Sequence, residues 1–269
     1  MEKFIKENIR FKTVPQEWDL YFDMALAMLD TVMKNNVAGK PTVMIVPVGP
    51  TDQYPIFARL VNQLNVSLKN VHFFNMDEYL ISPTQPIDRN HPMSFYRRMQ
   101  ETLYTQIKPE LNIPESQRHF PAPGKEAAYD AQIEALGGVD LCLGGLGING
   151  HVAFNEAAEA DDPISTEAFG NLGTRVLPIS RETKTINAYG YQRGDLQGMP
   201  EWCITIGMKQ ILASRCVYIA LNRSWQHGII KHVLFDKMCP QVPGSLLQSH
   251  PNVTFCAIDA VADGLFEEQ

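Results

Sequence analysis

Short, almost unbroken apolar runs recur along this chain, and each is followed by a turn and then by residues at helical spacing. The first is Pro41-Thr42-Val43-Met44-Ile45-Val46-Pro47-Val48. It is too short for a core helix and rich in β-branched residues, so it reads as an interior strand. Val71 to Met76, Val139 to Leu143, Cys216 to Leu221 and Val253 to Ile258 repeat the pattern. Thr174 to Ile179 reads as a further strand, placed at a sheet edge because Pro178 cannot donate to a ladder. Between the runs, Pro15 to Asn36 sets Trp18, Phe22, Ala25, Leu29 and Val32 on one helical stripe. Tyr54 to Leu64, Pro92 to Ile107 and Ser224 to Phe235 also read as helices.

Apolar strands alternating with helices call for a parallel sheet covered on both faces. The expected fold is therefore α/β, a doubly wound, mostly parallel, Rossmann-like sheet with helices on both faces. One domain spanning 1–269 is expected, with a helical N-terminal segment over 1–38. No internal repeat, low-complexity tract or linker interrupts it.

Composition narrows the function. A formal net charge of −7 leaves no basic surface for nucleic acid or an anionic bilayer. Any anionic substrate must be held by a local cluster of donors. The five cysteines are odd in number and show no C-x-x-C spacing, so they read as reduced thiols in a cytoplasmic protein. No apolar stretch approaches the ~20 residues that span a bilayer, and the first residues lack a signal-peptide core. The seven histidines do not cluster at metal-ligand spacing, so neither metal nor cofactor is expected.

The chemistry concentrates in Gly144-Gly145-Leu146-Gly147-Ile148-Asn149-Gly150-His151-Val152-Ala153-Phe154-Asn155-Glu156. Its glycines let the chain turn sharply and expose amide N–H groups as a strand ends. An imidazole and a carboxylate follow at once, the usual makings of an active site in an open α/β sheet. A glycine turn with a surface His and Glu is the bland alternative. Asp77, at the end of the second strand, would reach the same sheet edge. Phe73, Phe74 and Met76 before it would desolvate its carboxylate and raise its pKa towards a general-base range. A helix-capping or loop aspartate fits that position too. Glu78 should point the other way.

Phe74-Asn75-Met76-Asp77-Glu78-Tyr79, taken with Gly147 to Glu156, resembles the glucosamine-6-phosphate deaminase (isomerase) family. Further matches are His91-Pro92-x-Ser94-Phe95-Tyr96, Thr205-Ile206-Gly207 and Ser245-Leu246-Leu247-Gln248-Ser249-His250-Pro251, so the likeness spans residues 41 to 260. The resemblance implies a doubly wound α/β fold and interconversion of an amino-aldose 6-phosphate with a ketose 6-phosphate plus ammonia. It implies that Asp77 moves a proton between C2 and C1 through an enolamine-like intermediate. His151 would shuttle a proton in pyranose ring opening, Glu156 would orient the imidazole, and Asn149 would complete the relay by hydrogen bonding. A small sugar, normally a sugar phosphate, is the implied partner. A homo-oligomer is left open.

The chain departs from the family where the 6-phosphate binds. A Thr-Gly-Gly/Ser-Thr-Pro turn is replaced by Val48-Gly49-Pro50-Thr51-Asp52, a lid arginine by Tyr189, and a lysine by Gln226. Substrate contacts are expected from Gly49, Thr51, Gly145, Gly147 and Gly150. Lys184, Arg223 and Lys231 are the candidate replacement cations, with Arg223 best placed. Arg175 matches one cation of the family's allosteric site, but Leu177 stands where a lysine belongs, so no activation by an amino-sugar phosphate is expected. Three other readings stay open: a sugar-sensing module, a 6-phosphogluconolactonase-type hydrolase, and a relative acting on an unphosphorylated sugar.

Overall fold

The computed structural model describes residues 2–267. Strands β1 (Glu2–Lys6) and β2 (Ile9–Val14) form an antiparallel hairpin, followed by helix α1 (Glu17–Val37). Next come β3 (Thr42–Val46), α2 (Gln53–Leu64), β4 (Val71–Asn75), β5 (Asp77–Ser82), β6 (Gln85–Pro86) and α3 (Phe95–Thr102). Strand β7 (Arg118–His119), α4 (Glu126–Ala135), β8 (Leu141–Gly145), α5 (Thr166–Gly170), β9 (Arg175–Pro178) and α6 (Arg181–Tyr191) make up the middle. The chain continues through β10 (Trp202–Thr205), α7 (Met208–Leu212), β11 (Val217–Leu221), α8 (Gln226–Phe235), β12 (Val253–Ile258) and α9 (Asp259–Ala262).

Two sheets result. The larger has the order β1-β2-β12-β11-β8-β3-β4-β7, and every pairing in it except the β1–β2 hairpin is parallel. Every residue of β3 and β11 is buried. Such strands can be unbroken Val/Ile-rich runs because neither face meets water. The expected α/β architecture with its mostly parallel sheet is thus present. Successive strands β3 and β4 run outward on one side of β8, whereas β11 and β12 run outward on the other. That reversal opens a crevice at the carboxyl ends of β3 and β8, where doubly wound sheets bind ligands.

The smaller sheet, β6-β5-β10-β9, is antiparallel throughout. Sequence periodicity does not separate it from the larger one. The strand expected to end at Asp77 instead gives way to a second one, for the chain leaves β4 at Asn75 and enters β5 at Asp77. A second apolar cluster built on Tyr79, Ile87, Phe154, Ile179, Ala188 and Cys203 supports this sheet. Strand β9, with Pro178, lies at its edge as expected.

The helical N-terminal segment expected over 1–38 needs correcting. Helix starts at Glu17, and residues 2–14 hold the hairpin. Ile9, Phe11 and Val14 are buried while Arg10 is exposed, a near period-two pattern that extends the sheet alongside β12. The helix expected over Pro92 to Ile107 is also shorter. It stops at Thr102, and a 3₁₀ turn over Tyr104–Gln106 buries Tyr104.

Candidate active site

Asp77 sits at the joint between the two sheets. The Met76 N–H donates to the Val46 carbonyl at 3.0 Å, and the Ile206 N–H donates to the Met76 carbonyl at 2.7 Å. These bonds hand the chain from β4 across the end of β3 to β10, where Asp77 lies opposite Thr205. Asp77 is only 6% exposed. Burial first, and then the charge of Glu78, push its pKa well above the ordinary carboxylate range, with no hydrogen bond opposing them. Glu78 points away and has a structural task. It accepts from the Phe95 and Tyr96 N–H groups at 2.9 and 3.0 Å and from the Ser94 hydroxyl at 3.0 Å, anchoring the start of α3.

The glycine loop after β8 builds the second half of the site. His151 Nδ1 lies 2.7 Å from Asn149 Oδ1, 3.3 Å from Thr183 Oγ1 and 3.4 Å from Glu156 Oε2. The Asn149 amide donates to Glu156 Oε2 at 2.8 Å. Asn149, His151 and Glu156 therefore form one bonded group. Burial would raise the Glu156 pKa, but hydrogen bonding with His151, the imidazolium charge, and bonds from Asn149 and Thr183 outweigh it and hold the carboxyl at about 2.

The expected loop glycines divide by task. A Cβ on Gly147 would lie 2.1 Å from the His151 ring, so this glycine makes room for the imidazole. Gly150 has φ +83°, and a Cβ there would come within 2.9 Å of Val242. It turns the loop and packs it on the body of the protein. A Cβ on Gly145 would sit 3.3 Å from the Gly49 carbonyl, so the end of β8 approaches the turn after β3 closely.

The segment after His151 is clamped to the small sheet. The Phe154 N–H donates to Thr205 Oγ1 at 3.0 Å, and buried Asn155 donates to the Ile206 carbonyl at 2.9 Å. Thr205 is the residue that faces Asp77 in the ladder. The Cys203 thiol, raised first by burial, also feels the charges of both Asp77 and Glu156. The two carboxylates thus lie within electrostatic reach of one side chain on β10. Arg175 donates to Asn155 Oδ1 at 2.7 Å, which ties this cation to the site's framework.

Charges at the turn after β3 are arranged differently. Gly49 is exposed, Thr51 is buried and Asp52 is exposed. Arg223 follows β11 and pairs with Glu17 at 3.5 Å. Glu17 also accepts from the Tyr21 hydroxyl at 2.9 Å, and Asn222 donates to that hydroxyl at 2.8 Å. Gln226 is buried and neutral, donating to the Leu146 carbonyl at 2.7 Å and accepting from the Arg223 N–H at 2.8 Å. Lys184, on α6, pairs with Glu201 at 3.1 Å. Tyr189 is 81% exposed. From the same helix, the Tyr191 hydroxyl lies 3.6 Å from the point a Cβ on Gly49 would occupy.

Helix α6 carries the residues that sequence reasoning missed. Ser180 and Thr183 at its start contact Glu156, and Asn187 donates to the Tyr79 hydroxyl at 3.2 Å. The available signal was a serine three residues before a threonine at a helix start, since the Ser180 side chain caps Thr183 N–H. Among the described residues, no group of three or more His, Cys, Asp or Glu is arranged to hold a metal ion. No helix among them is long and apolar enough to cross a membrane.

No family model matches the chain. Its similarity to individual proteins is extensive. A glucosamine-6-phosphate deaminase of Lachnoclostridium phytofermentans is 31% identical over 212 residues, covering 76% of this chain and 81% of that protein. One of Parabacteroides distasonis is 31% identical over 235 residues, covering 85% and 81%. Among solved structures, a monomeric glucosamine-6-phosphate deaminase superposes with a TM-score of 0.80 at 21% identity, over 94% of this chain and 98% of that one. A 6-phosphogluconolactonase from Trypanosoma cruzi gives 0.70 at 16% identity, over 98% and 99%. These two likenesses establish a shared fold. With relatives above 30% identity matched over about four-fifths of their length, the chain belongs to the glucosamine-6-phosphate deaminase family.

Proposed function

We propose that this protein is an enzyme that interconverts an amino-hexose 6-phosphate and a ketose 6-phosphate plus ammonia. The observation that carries this reading is the bonded Asn149–His151–Glu156 group at the end of β8, beside a buried carboxylate with no hydrogen bond at the start of β5. Each half suits one proton-transfer task.

Ring opening needs the C1 hydroxyl proton removed and one delivered to the ring oxygen. Three oxygens face His151 Nδ1. That arrangement keeps the ring proton on Nδ1 and leaves Nε2 to accept and donate towards the sugar. Glu156, ionised at neutral pH, stabilises the imidazolium formed on the way. In the open-chain form, the Asp77 carboxylate takes the C2 proton and returns it to C1. The enolamine so formed becomes a C2 imine, and water replaces its nitrogen to give the ketose and ammonia. Desolvation makes Asp77 a stronger base than a solvated carboxylate, and a positioned base is worth about 10²–10⁴ in rate.

The phosphate falls to the turn after β3. Arg223, released from Glu17, the Thr51 hydroxyl and the N–H groups of the Gly49 turn are its assigned ligands. Gly145 supports that turn by close approach, while Gly147 and Gly150 serve through the loop they shape. Lys184 already has Glu201 as a partner and takes a lesser share. A cytoplasmic setting suits five cysteines, three of them buried.

The test is direct. Incubation with glucosamine 6-phosphate should release ammonia and fructose 6-phosphate in equal amounts, whereas 6-phosphogluconolactone should not be hydrolysed faster than in buffer. Lactone hydrolysis without ammonia release would overturn the reading.

A further inference from the structure

The Thr183 hydroxyl touches both His151 and Glu156. It is fully buried at the first turn of α6. Its oxygen lies 3.0 Å from Glu156 Oε2 and 3.3 Å from His151 Nδ1, and it accepts from the Ser180 hydroxyl at 3.0 Å. The Ser180 N–H also points at Glu156 Oε1, at 3.3 Å. Glu156 is ionised and can only accept, so the Thr183 proton is committed to it. The oxygen then offers only lone pairs to Nδ1. Asn149 is constrained in the same way, because its NH₂ donates to Glu156 and its Oδ1 must face the imidazole.

We propose that Thr183, backed by Ser180, is a positioning residue of the proton relay: it holds the His151 ring proton on Nδ1 and fastens the start of α6 to Glu156. Two consequences follow for the catalytic cycle, and both rest on the deaminase reading. Nε2 is kept as the free nitrogen that faces the sugar. The helix bearing Asn187 and Tyr191 over the site is also secured to the carboxylate that the relay uses. The titratable groups facing this hydroxyl are His151 and Glu156 of the loop. On β10 the Cys203 thiol feels the charges of Asp77 of β5, Glu156 and Arg175 of β9.

The test compares Thr183→Val, which keeps the shape and removes the hydroxyl, with Thr183→Ser, which restores it. Deamination of glucosamine 6-phosphate is followed against pH, and the ¹⁵N signals of the His151 imidazole are recorded without substrate. Thr183→Val should lower kcat about 10- to 100-fold at little-changed KM, a part of what a positioned acid–base pair supplies. The acid limb of its kcat profile should move to higher pH, and its Nε2 signal should show mixed tautomers. Thr183→Ser should recover all three properties. If Thr183→Val does not fold, Ser180→Ala should give the same changes in smaller measure. Wild-type kcat, pH profile and tautomer in Thr183→Val or Ser180→Ala would overturn the proposal, as would failure of Thr183→Ser to rescue. The imidazole signals need no turnover, so a protein inactive on this sugar would refute the deaminase reading while leaving the positioning claim testable.

Discussion

The loop after β8 and the turn after β3 are built on different principles. At the imidazole end, His151 Nδ1 and the Glu156 carboxylate have committed partners, because Asn149, Thr183 and Ser180 converge on them. At the end formed by the turn after β3, one arginine is shared with a carboxylate, Gln226 is buried and neutral, and exposed Asp52 adds negative charge. Fixed geometry is what proton transfer demands, because a misplaced donor forfeits rate steeply. An anion site tolerates rearrangement, since attraction between charges is long-ranged and can be met by a side chain that swings. On the proposed reading, the chemistry is fixed by this fold and affinity for the sugar's tail is adjustable.

The sharpest break would come at Asp77. Asp77→Asn should cut turnover by about 10³-fold or more, within the range a general base supplies. Its burial also has a stability consequence. A carboxyl whose folded pKa is raised lends stability below its unfolded pKa and loses it as pH rises through the folded value. At neutral pH the charge is therefore unfavourable, and Asp77→Asn should raise the thermal midpoint while abolishing activity. Loss of activity with loss of fold would deny Asp77 its role as base.

Gly147→Ala should come next. Its Cβ would fall 2.1 Å from the imidazole, forcing His151 out of place. A fall in kcat of about 10²-fold, with circular dichroism unchanged, would mark the relay as the damaged part.

Glu156→Gln probes the same end through pH. The folded carboxyl is held at about 2 against an ordinary value of 4.5. Its stabilisation is complete above the ordinary value and lost as pH falls towards the folded one. The stability gap between wild type and Glu156→Gln should stay constant above about pH 5 and close on acidification. A gap that widens in acid would contradict the bonded group described above.

The smallest effects belong to the other end. Arg223→Ala should raise KM for glucosamine 6-phosphate about tenfold, equivalent to ~1.4 kcal/mol, with kcat preserved. Glu17→Gln, which frees Arg223, should lower KM severalfold. If both leave KM unchanged, the phosphate is held elsewhere and the contrast between the two ends needs redrawing.

These differences also explain what could be read from the sequence. The interior strands were legible because strands buried on both faces must be apolar throughout, as β3 and β11 are. His151 and Glu156 stood out because they lie within one glycine loop, whereas the part of Asn149 came from the resemblance alone. The small sheet was not legible, because the polar Asp77-Glu78 pair reads as the end of a strand, whereas β5 starts there, held by hydrogen bonds of Met76 with Val46 and Ile206 that are remote in sequence. The N-terminal hairpin escaped for a related reason, since its partner β12 is some 240 residues away. Thr183 and Ser180 were hidden because their meaning comes only from where α6 lands. The partners of Arg223 and Lys184, Glu17 and Glu201, are equally invisible to spacing.

The most direct measurement is product analysis in deuterium oxide with glucosamine 6-phosphate as substrate, for wild type and Asp77→Asn side by side. Wild type should release ammonia and give fructose 6-phosphate in which any deuterium, taken up where the Asp77 carboxyl exchanges with solvent before returning its proton, sits on a single face of C1, while Asp77→Asn forms both products about 10³-fold more slowly or slower still. Ammonia release by Asp77→Asn at the wild-type rate, or label spread over both C1 positions from the first turnover, would contradict a single carboxylate acting on one face of the sugar.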